Sequence, residues 1–451
     1  MSIYTTACNT ELRLTQTGTL ASTPATQPVE SDIAIFVDAR RAFQTFIGVG
    51  GAITDAAAEV FATLPPPRQA EFLRAYYDPD GGIGYSLLRT TIHSCDFSPH
   101  SYTYVSDEDP ALSTFDIAPD RRLRLPMIKR AIAAAGGALL TYASPWSPPP
   151  FMKDTRRMLE GGSLLPEHYP TWARYFTRFI DAYEREGVPI WGVTIQNEPM
   201  AVQRWESCIY TAEQERDFLR DHLGPAMAEA GYSDRKIVVW DHNRDLICHR
   251  AHTIFSDPEA ARYAWGTGFH WYETWAGGRP LFDNLARVRE AYPDKQLLFT
   301  EGCVEGFDPD RLQSWANAER YGRSMINDFN AGTAGWTDWN ILLDHSGGPN
   351  HVGNHCFAPI HADADAQCLV YTPSYYYIGH FSKFVRPGAR RVSCASSHSH
   401  LLSTAFRNPD GSLATIVMNP TGQPISYQLF TGTRAAAVTI PPRAMQTLIT
   451  R

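Results

Sequence analysis

Short apolar runs alternate eight times with amphipathic helical runs between about residue 43 and residue 386. Apolar runs of this length between turn residues are typical of buried parallel strands, and strands that alternate with helices form α/β folds. Eight such units are the number in a (β/α)8 TIM barrel, which we therefore predict for residues 43–386. The predicted strands are 46–51, 85–92, 139–143, 191–195, 236–240, 266–269, 297–300 and 335–339.

After residue 387 the pattern changes to short β-rich runs separated by turn signals such as Asn408-Pro-Asp-Gly411. We predict a small antiparallel β-sandwich over residues 387–451. Its strands are expected at 391–397, 401–408, 412–419, 425–429, 436–440 and 446–450. So small a sandwich does not close easily alone, and we expect strands from residues 1–42, including 32–38, to join it.

The helices of the barrel are predicted from the periodicity of their apolar residues. They are expected from residue 55 onward and at 68–77, 125–135, 171–185, 213–230, 281–291, 318–330 and 374–384. Two insertions, 93–122 and 345–373, are long enough to predict functional or lid-like loops. Within the second, the tract 361–367 lacks the glycine and the terminal glutamate of an EF-hand, so we expect it to be solvated.

The composition excludes some classes of function. A net charge of -8 and a pI near 6.0 argue against a nucleic-acid partner. No stretch is apolar and long enough to predict integral membrane association. The N-terminus lacks signal-peptide character, which leaves an intracellular protein and a chain whose leader was removed as open alternatives. The eight cysteines have neither zinc-site nor disulfide-scaffold spacing, and Cys95 and Cys303 are expected to be free thiols.

Two glutamates follow predicted strands. Glu198 lies in Thr194-Ile-Gln-Asn-Glu-Pro199 after the fourth strand, and Glu301 lies in Leu297-Leu-Phe-Thr-Glu-Gly302 after the seventh. A charge at the end of a buried strand is expensive unless it has a use, and the active sites of TIM barrels lie at these strand ends. Two carboxylates there are the minimal equipment for hydrolysing a glycosidic bond.

The other strand ends are also polar or aromatic. They carry Arg89, Asp96, Trp146, Asn197, Asp241, His242, His270, Tyr272 and Trp339. These positions contain no metal-binding cluster at helical spacing, no phosphate loop and no serine nucleophile motif, so we predict neither a metal nor a cofactor. His351 and His355 are expected in a wet loop rather than at a metal.

The predicted chemistry is double displacement. Glu301 attacks the anomeric carbon as a carboxylate, with Arg89 and Tyr272 as candidate donors that keep it ionised. Glu198 starts protonated, favoured by partial burial and by the nearby negative Glu301, and serves as acid and then as base. Asn197 is placed to bond the sugar 2-hydroxyl. His270 is interpreted as an orienting hydrogen-bond partner.

From about residue 40 to the C-terminus the chain resembles glycoside hydrolase family 30, the family of lysosomal glucosylceramidase and its bacterial relatives, and ten matching stretches follow one another in order. They are 48–58, 84–89, 94–98, 143–148, 196–199, 270–272, 300–303, 335–340, 347–350 and 379–384. Asn-Glu-Pro alone occurs in many barrel glycosidases, whereas the ordered set is highly specific.

The resemblance implies a retaining exo-β-glucosidase that takes a carbohydrate or a glycolipid such as glucosylceramide. By the family pattern Glu198 is the acid/base and Glu301 the nucleophile. Substrate-binding positions are implied for Asp96, Trp146, Asn197, Trp339 and, less directly, Asn354. Arg89 and Tyr272 match positions that support the nucleophile.

Three alternatives stay open at this stage. The loop 351–356 differs from the animal enzymes, and bacterial relatives include β-1,6-glucanases and β-xylosidases. Asp96 and Trp146 favour glucose over xylose. A non-catalytic carbohydrate-binding protein on the same barrel is the distant alternative, disfavoured because both carboxylates are present. The pattern predicts no oligomeric state.

Overall fold

Eight parallel strands close into a barrel in the computed structural model, which describes residues 1–25, 27–363 and 366–451. Each strand pairs with the next one in the chain, and the eighth pairs with the first. This confirms the predicted (β/α)8 architecture. The barrel strands are Gly48–Ala52, Leu87–Ile92, Leu140–Pro145, Ile190–Thr194, Lys236–Asn243, Ala264–His270, Gln296–Glu301 and Thr333–Asn340.

Helices surround the barrel between these strands. The α-helices are Asp55–Thr63, Pro66–Tyr77, Ala118–Arg122, Arg124–Ala134, Tyr169–Arg185, Ala212–Phe218, Gly224–Glu229, Ile247–Phe255, Pro258–Ala261, Phe282–Ala291, Trp315–Asn330 and Pro373–Ser382. Single 3-10 turns are Pro150–Met152, Pro166–His168, Tyr272–Ala276 and Pro309–Arg311. Two short strands in the second insertion, Ile360–Asp363 and Cys368–Tyr371, form a three-stranded sheet with Leu342–Asp344, which directly precedes the insertion.

Side chains fill the interior of the barrel. Leu87, Tyr142, Val238 and Leu298 come from four different strands and form one buried cluster. The Tyr142 hydroxyl donates to the Thr300 carbonyl at 3.1 Å, from the third strand to the seventh, so this ring spans the interior. A packed interior leaves the chemistry to the rim of the barrel, where the strands end.

A separate ten-stranded sheet contains both ends of the chain. Its C-terminal strands are Arg390–Ser396, Leu402–Arg407, Leu413–Asn419, Ile425–Thr431, Arg434–Ile440 and Ala444–Thr450. Its N-terminal strands are Ser2–Ala7, Thr15–Thr19, Thr23–Pro24 and Ala34–Thr45. Ser2–Ala7 pairs with Ala444–Thr450, so the two ends of the chain lie side by side. We propose the domain division 1–42, 43–386 and 387–451, with the long strand crossing the first boundary.

The predicted sheet was antiparallel throughout, and in one place this is wrong. Ala34–Thr45 lies between Arg390–Ser396, to which it is antiparallel, and Ile425–Thr431, to which it is parallel. Strands joined by short hairpins must be antiparallel. Ala34–Thr45 comes from the other end of the chain and is free of that constraint.

The single helix predicted at 213–230 is interrupted. A π-turn at Leu219–Leu223 separates two α-helices, and the Gly224 N–H bonds the Leu219 carbonyl. Pro225 has no N–H to continue the α-helical pattern, and a π-turn accommodates the missing donor. Gly224 also packs so closely on the Tyr263 ring that an added Cβ would lie 2.3 Å from it.

The tract 361–367 was expected to be solvated, but His361 is fully buried and its Nδ1 lies 2.7 Å from the Asp344 carbonyl. Ala364 and Asp365 of this tract lie outside the described residues. All eight cysteines are free thiols, as expected for Cys95 and Cys303. In the part of the chain that is described, no helix has the length and apolar character needed to cross a membrane.

Candidate active site

A cavity of about 550 Å³ opens at the carboxyl ends of the barrel strands. Eight candidate site residues predicted from the sequence line it directly. They are Asp96, Trp146, Asn197, Glu198, Tyr272, Glu301 and Trp339, together with Asn354 from the second insertion. Arg89 and His270 are fully buried immediately beneath this surface. The structure thus brings together every candidate site residue named from the sequence.

Glu301, the last residue of the seventh strand, is held by two donors. Arg89 Nη1 lies 2.6 Å from its Oε2, and the Tyr272 hydroxyl donates to its Oε1 at 3.0 Å. Only 6% of the residue is exposed. Burial raises the pKa of Glu301, the opposite charges of His270 and Arg89 oppose this, and the negative charge of Glu198 adds to it. The carboxylate is therefore fixed in orientation from two sides.

Arg89 organises the floor of the site. Besides Glu301 it donates to Asp241 at 3.0 Å, to Asn197 at 2.9 Å and to Ser144 at 3.0 Å. A planar guanidinium suits this task because its donors are arranged in a rigid fork. The bond to Asn197 occupies the amide oxygen of that side chain and leaves its nitrogen as the group that can meet a ligand.

Glu198 lies on a strained backbone at the end of the fourth strand. Its φ of 47° is left-handed, and so are those of Trp240 (74°) and Asp241 (52°) at the end of the fifth strand. Such non-glycine conformations cost about 1–3 kcal/mol each and concentrate at functional sites. The Glu198 N–H donates to the Asp241 carbonyl at 3.0 Å, which ties the two strained segments together.

His270 connects Glu198 to Asp241. Its Nδ1 lies 3.2 Å from Glu198 Oε1 and its Nε2 lies 3.0 Å from Asp241 Oδ1. Burial opposes a charge on this ring, but the negative Glu301 and the hydrogen bonds to Asp241 and Glu198 raise the pKa of His270 to about 9. The doubly protonated ring then donates to both carboxylates.

In the site without substrate, the surroundings of Glu198 favour its carboxylate form rather than the predicted protonated form. Burial acts to raise the pKa of Glu198, but His242 and the hydrogen bond with His270 outweigh it and hold that pKa below its ordinary value. Two imidazoles, from the fifth and sixth strands, converge on Glu198, which the linear sequence does not reveal.

Two stacked indoles and a buried aspartate form the other side of the cavity. Trp146 and Trp339 stack with ring centroids 5.1 Å apart, and the Arg89 guanidinium lies 4.9 Å from the Trp146 ring. Asp96 accepts from the Asn354 amide at 2.9 Å. Burial raises the pKa of Asp96 to about 7, opposed by the Asn354 bond and aided by the surrounding carboxylates. Flat rings beside a buried carboxylate are suited to the apolar face and hydroxyl edge of a sugar.

Some contributors were missed or received no role. Asp241 and His242 were recognised at a strand end but were not assigned a role. Asn350 lies in the recognised stretch 347–350, and its amide is 3.4 Å from Asp96 Oδ2. The signal for these residues was their position after a strand or in a matched stretch. Four apolar residues at the cavity mouth gave no such signal because they lie neither directly after a strand nor in a matched stretch; they are Met200, Val202, Leu246 and Trp275.

Among the described residues, one cluster has ligand atoms close enough to hold a metal ion. It comprises Glu198, His242 and His270, whose ligand atoms all lie within 4.8 Å of one another. Its three residues come from three separate strand ends, so they show no helical spacing in the sequence. His351 and His355 are not part of this cluster; His351 Nδ1 instead lies 3.0 Å from the Asp96 carbonyl.

Comparison with known proteins identifies the scaffold. Residues 46–385 match the glycosyl hydrolase family 30 TIM-barrel domain. The chain belongs to glycosyl hydrolase family 30. Residues 388–448 match the beta sandwich domain of the same family. The family resemblance predicted from the sequence is thereby confirmed, and the protein is a glycoside hydrolase that acts on carbohydrate substrates.

Three proteins are similar to this family 30 enzyme in sequence or in structure over most of its length. Mouse (Mus musculus) lysosomal acid glucosylceramidase is 36% identical over 397 residues, covering 85% of this chain and 76% of the mouse protein. The crystal structure of SrfJ from Salmonella typhimurium superposes with a TM-score of 0.94 at 34% identity and covers 100% and 99% of the two chains. The endo-β1,6-glucanase BT3312 has a TM-score of 0.87 at 27% identity, covering 99% and 98%.

Proposed function

We propose that the protein is a retaining exo-β-glucosidase that hydrolyses glucosylceramide-like glucosides. Glu301 is the nucleophile and Glu198 the acid/base of a double displacement. Glu301 suits its role because Arg89 and Tyr272 each donate to one of its oxygens. The first step forms a bond between Glu301 and the anomeric carbon and breaks the bond to the leaving oxygen, which takes a proton from Glu198.

The proton for that step is held between Glu198 and His270. Because His270 Nδ1 lies 3.2 Å from Glu198 Oε1, a proton on the imidazole reaches the carboxylate across one hydrogen bond. In the second step Glu198 takes a proton from water, which attacks the anomeric carbon and releases Glu301. Asp241 holds the far side of His270 and keeps the ring in position.

The glucose unit is assigned to the pocket between the stacked indoles and Asp96. Trp146 and Trp339 contact the sugar faces, Asp96 accepts from the outer hydroxyls, and the Asn197 amide nitrogen serves the 2-hydroxyl. Asn354 and Asn350 orient Asp96. Because Asp96 is a buried acceptor, only 3% exposed, it favours recognition of the outer hydroxyls of a terminal sugar, hence exo action.

The observation that carries the glycolipid assignment is the apolar mouth of the cavity. Of the eight large apolar side chains that are exposed among the described residues, four lie here. Met200 is 46% exposed, Val202 67%, Leu246 38% and Trp275 79%. Three of these side chains are aliphatic or thioether groups that offer no hydrogen bond to a second sugar. An exposed apolar patch at a binding cleft favours a hydrocarbon leaving group.

The second candidate is hydrolysis of β-1,6-glucan or gentiobiose by the same two glutamates. It is favoured by the likeness to the endo-β1,6-glucanase BT3312 over nearly the whole chain. Trp275 and Trp205, which also line the cavity, would provide flat surfaces for a second sugar. A β-xylosidase is less favoured, because Asp96 is suited to outer hydroxyls that include the one on C6, which xylose lacks.

The test compares glucose release from glucosylceramide in detergent with release from gentiobiose and β-1,6-glucan. We expect preference for the glycolipid, and preference for the β-1,6 linkage would overturn the aglycone assignment. Val202→Ser removes apolar area at the mouth and should raise KM for the glycolipid while leaving KM for gentiobiose unchanged. Val29→Ser is the matched control, since Val29 is 63% exposed and does not line the cavity.

A further inference from the structure

We infer that Glu198, His242 and His270 form a binding site for a zinc-like divalent ion that switches the enzyme off by occupying the acid/base. Two imidazole nitrogens and one carboxylate oxygen are a donor set that zinc prefers. The inference goes beyond the proposed function, since it concerns an ion that the hydrolysis does not need.

The distances fit tetrahedral coordination. Zinc bonds to nitrogen and carboxylate oxygen are about 2.0–2.2 Å long, so two ligands of a tetrahedral ion lie roughly 3.3–3.5 Å apart. Glu198 Oε1 is 3.2 Å from His270 Nδ1 and 3.6 Å from His242 Nδ1. All three ligand atoms lie within 4.8 Å of one another, so one ion can reach all of them after small side-chain shifts.

His242 is the residue that distinguishes a metal site from a simple hydrogen-bond network. Its Nδ1 is buried, has no hydrogen-bond partner within the described part of the chain, and faces Glu198 at a distance too long for a good hydrogen bond. A buried nitrogen without a partner costs free energy that a metal bond would recover. The Trp240 ring packs against the imidazole with centroids 5.1 Å apart and limits its movement.

The surroundings supply what metal ligands require. His270 Nε2 lies 3.0 Å from Asp241 Oδ1, and such a carboxylate partner fixes the tautomer that presents the other ring nitrogen to a metal. Glu198 and His242 line the open cavity, so the fourth position is accessible to water and to an arriving ion. Nearby carboxylates of Asp96, Glu301 and Asp245 attract a cation to this cavity.

An ion at this site would block the reaction in a defined way. Zinc bonded to Glu198 Oε1 takes the lone pair that carries the proton in the first step and that accepts one from water in the second. It also takes the place of the proton between Glu198 and His270. The glucose pocket around Asp96 and Trp146 remains intact, so the ion blocks proton transfer and leaves the sugar contacts in place.

The test measures zinc binding by isothermal titration calorimetry on chelator-treated enzyme without substrate, so the outcome does not depend on the proposed function. We expect one site lost in both His242→Asn and Glu198→Gln. Each variant should lower the affinity for zinc by at least roughly 10–100-fold, the effect of losing a residue that only hydrogen-bonds a metal ligand. His249→Asn, an exposed histidine on Ile247–Phe255, is the matched control and should bind like the wild type. Mg²⁺ should give no comparable signal, because it prefers oxygen ligands.

Zinc held by the free cysteines would persist unchanged in both variants. If all binding persists in His242→Asn and Glu198→Gln, or if the wild type binds no zinc, the inference is overturned. Anomalous diffraction at the zinc edge from zinc-soaked crystals should place the ion between the three ligand atoms, and density elsewhere only would also overturn it. That measurement uses the wild-type enzyme, so it tests the inference even if a variant does not fold. Inhibition of glucoside hydrolysis that a chelator reverses is the expected functional result.

Discussion

Replacing Arg89 with lysine keeps one positive charge at the centre of the site but removes the fork of donors. Arg89 bonds Glu301, Asp241, Asn197 and Ser144 from a fully buried position. A lysine ammonium is a compact charge at the end of a flexible stem and cannot occupy three separated donor positions. We expect the lysine to keep its ion pair with one of the two carboxylates, Glu301 or Asp241, and to leave the other carboxylate without a cation.

The magnitude follows from the bonds that are lost. Each of the three lost bonds has the charged guanidinium as its donor and contributes about 1.5–3 kcal/mol, which together make roughly 4.5–9 kcal/mol. Part of this loss lowers the free energy of unfolding. If about 3–4 kcal/mol of it is lost from the transition state, kcat falls roughly a hundred- to a thousandfold.

The assay combines kcat on an aryl β-glucoside with urea unfolding of the same preparation. Arg40→Lys is the matched control, because Arg40 forms an ion pair with Asp38 while its side chain is 89% exposed. Exposed ion pairs contribute little to stability, so this variant should behave like the wild type. An Arg89→Lys enzyme with wild-type stability and kcat within a few-fold of wild type would refute the reasoning.

Three further predictions follow from the site and the barrel. Glu301→Gln should abolish turnover of every glucoside. Glu198→Gln should lower kcat about 10²–10⁴-fold on alkyl glucosides and much less on aryl glucosides, whose leaving group needs no proton. Equal losses of kcat on both substrates would contradict the role of Glu198. The pKa of Asp96 is about 7, so its carboxylate exists above that pH and is lost as pH falls through it; the inhibition constant of glucose should rise on acidification, and Asp96→Asn should flatten that profile. Gly50→Ala puts a Cβ 1.9 Å from the Leu87 carbonyl oxygen in the barrel wall and should lower the free energy of unfolding by several kcal/mol. Gly18→Ala is the control for the melting temperature, because no atom lies within 4 Å of a Cβ at that position.

The barrel could be predicted from the sequence because each strand is a short apolar run next to an amphipathic helix. The predicted end of a strand differs from the observed end where the backbone takes an unusual conformation. The fifth strand was expected to end at residue 240 and runs to Asn243, because Trp240 and Asp241 take left-handed φ values that let the pairing continue past a polar stretch. Those two residues carry no glycine or turn signal that would reveal this conformation.

The site residues could be named individually from strand ends and family motifs, but their mutual arrangement could not. Which carboxylate holds the proton depends on the convergence of His242 and His270 on Glu198 from neighbouring strands. The direction of each side chain depends on bulges in the pairing, such as the register shift between Phe269 and His270. Neither the location of the proton nor the direction of a side chain is a local property of the sequence, so both become visible only in the folded structure.

The pairing of Ser2–Ala7 with Ala444–Thr450 has a consequence for how the chain is made. Thr5 and Gln446 are partners that lie 441 residues apart. At a ribosome speed of 5–20 residues per second, the N-terminal strand waits on the order of 20–90 s for its neighbour. During that time it presents an open edge to other chains. Closure of this sheet is therefore a late event in the synthesis of the protein, and a circular permutant that joins the two ends would remove the delay.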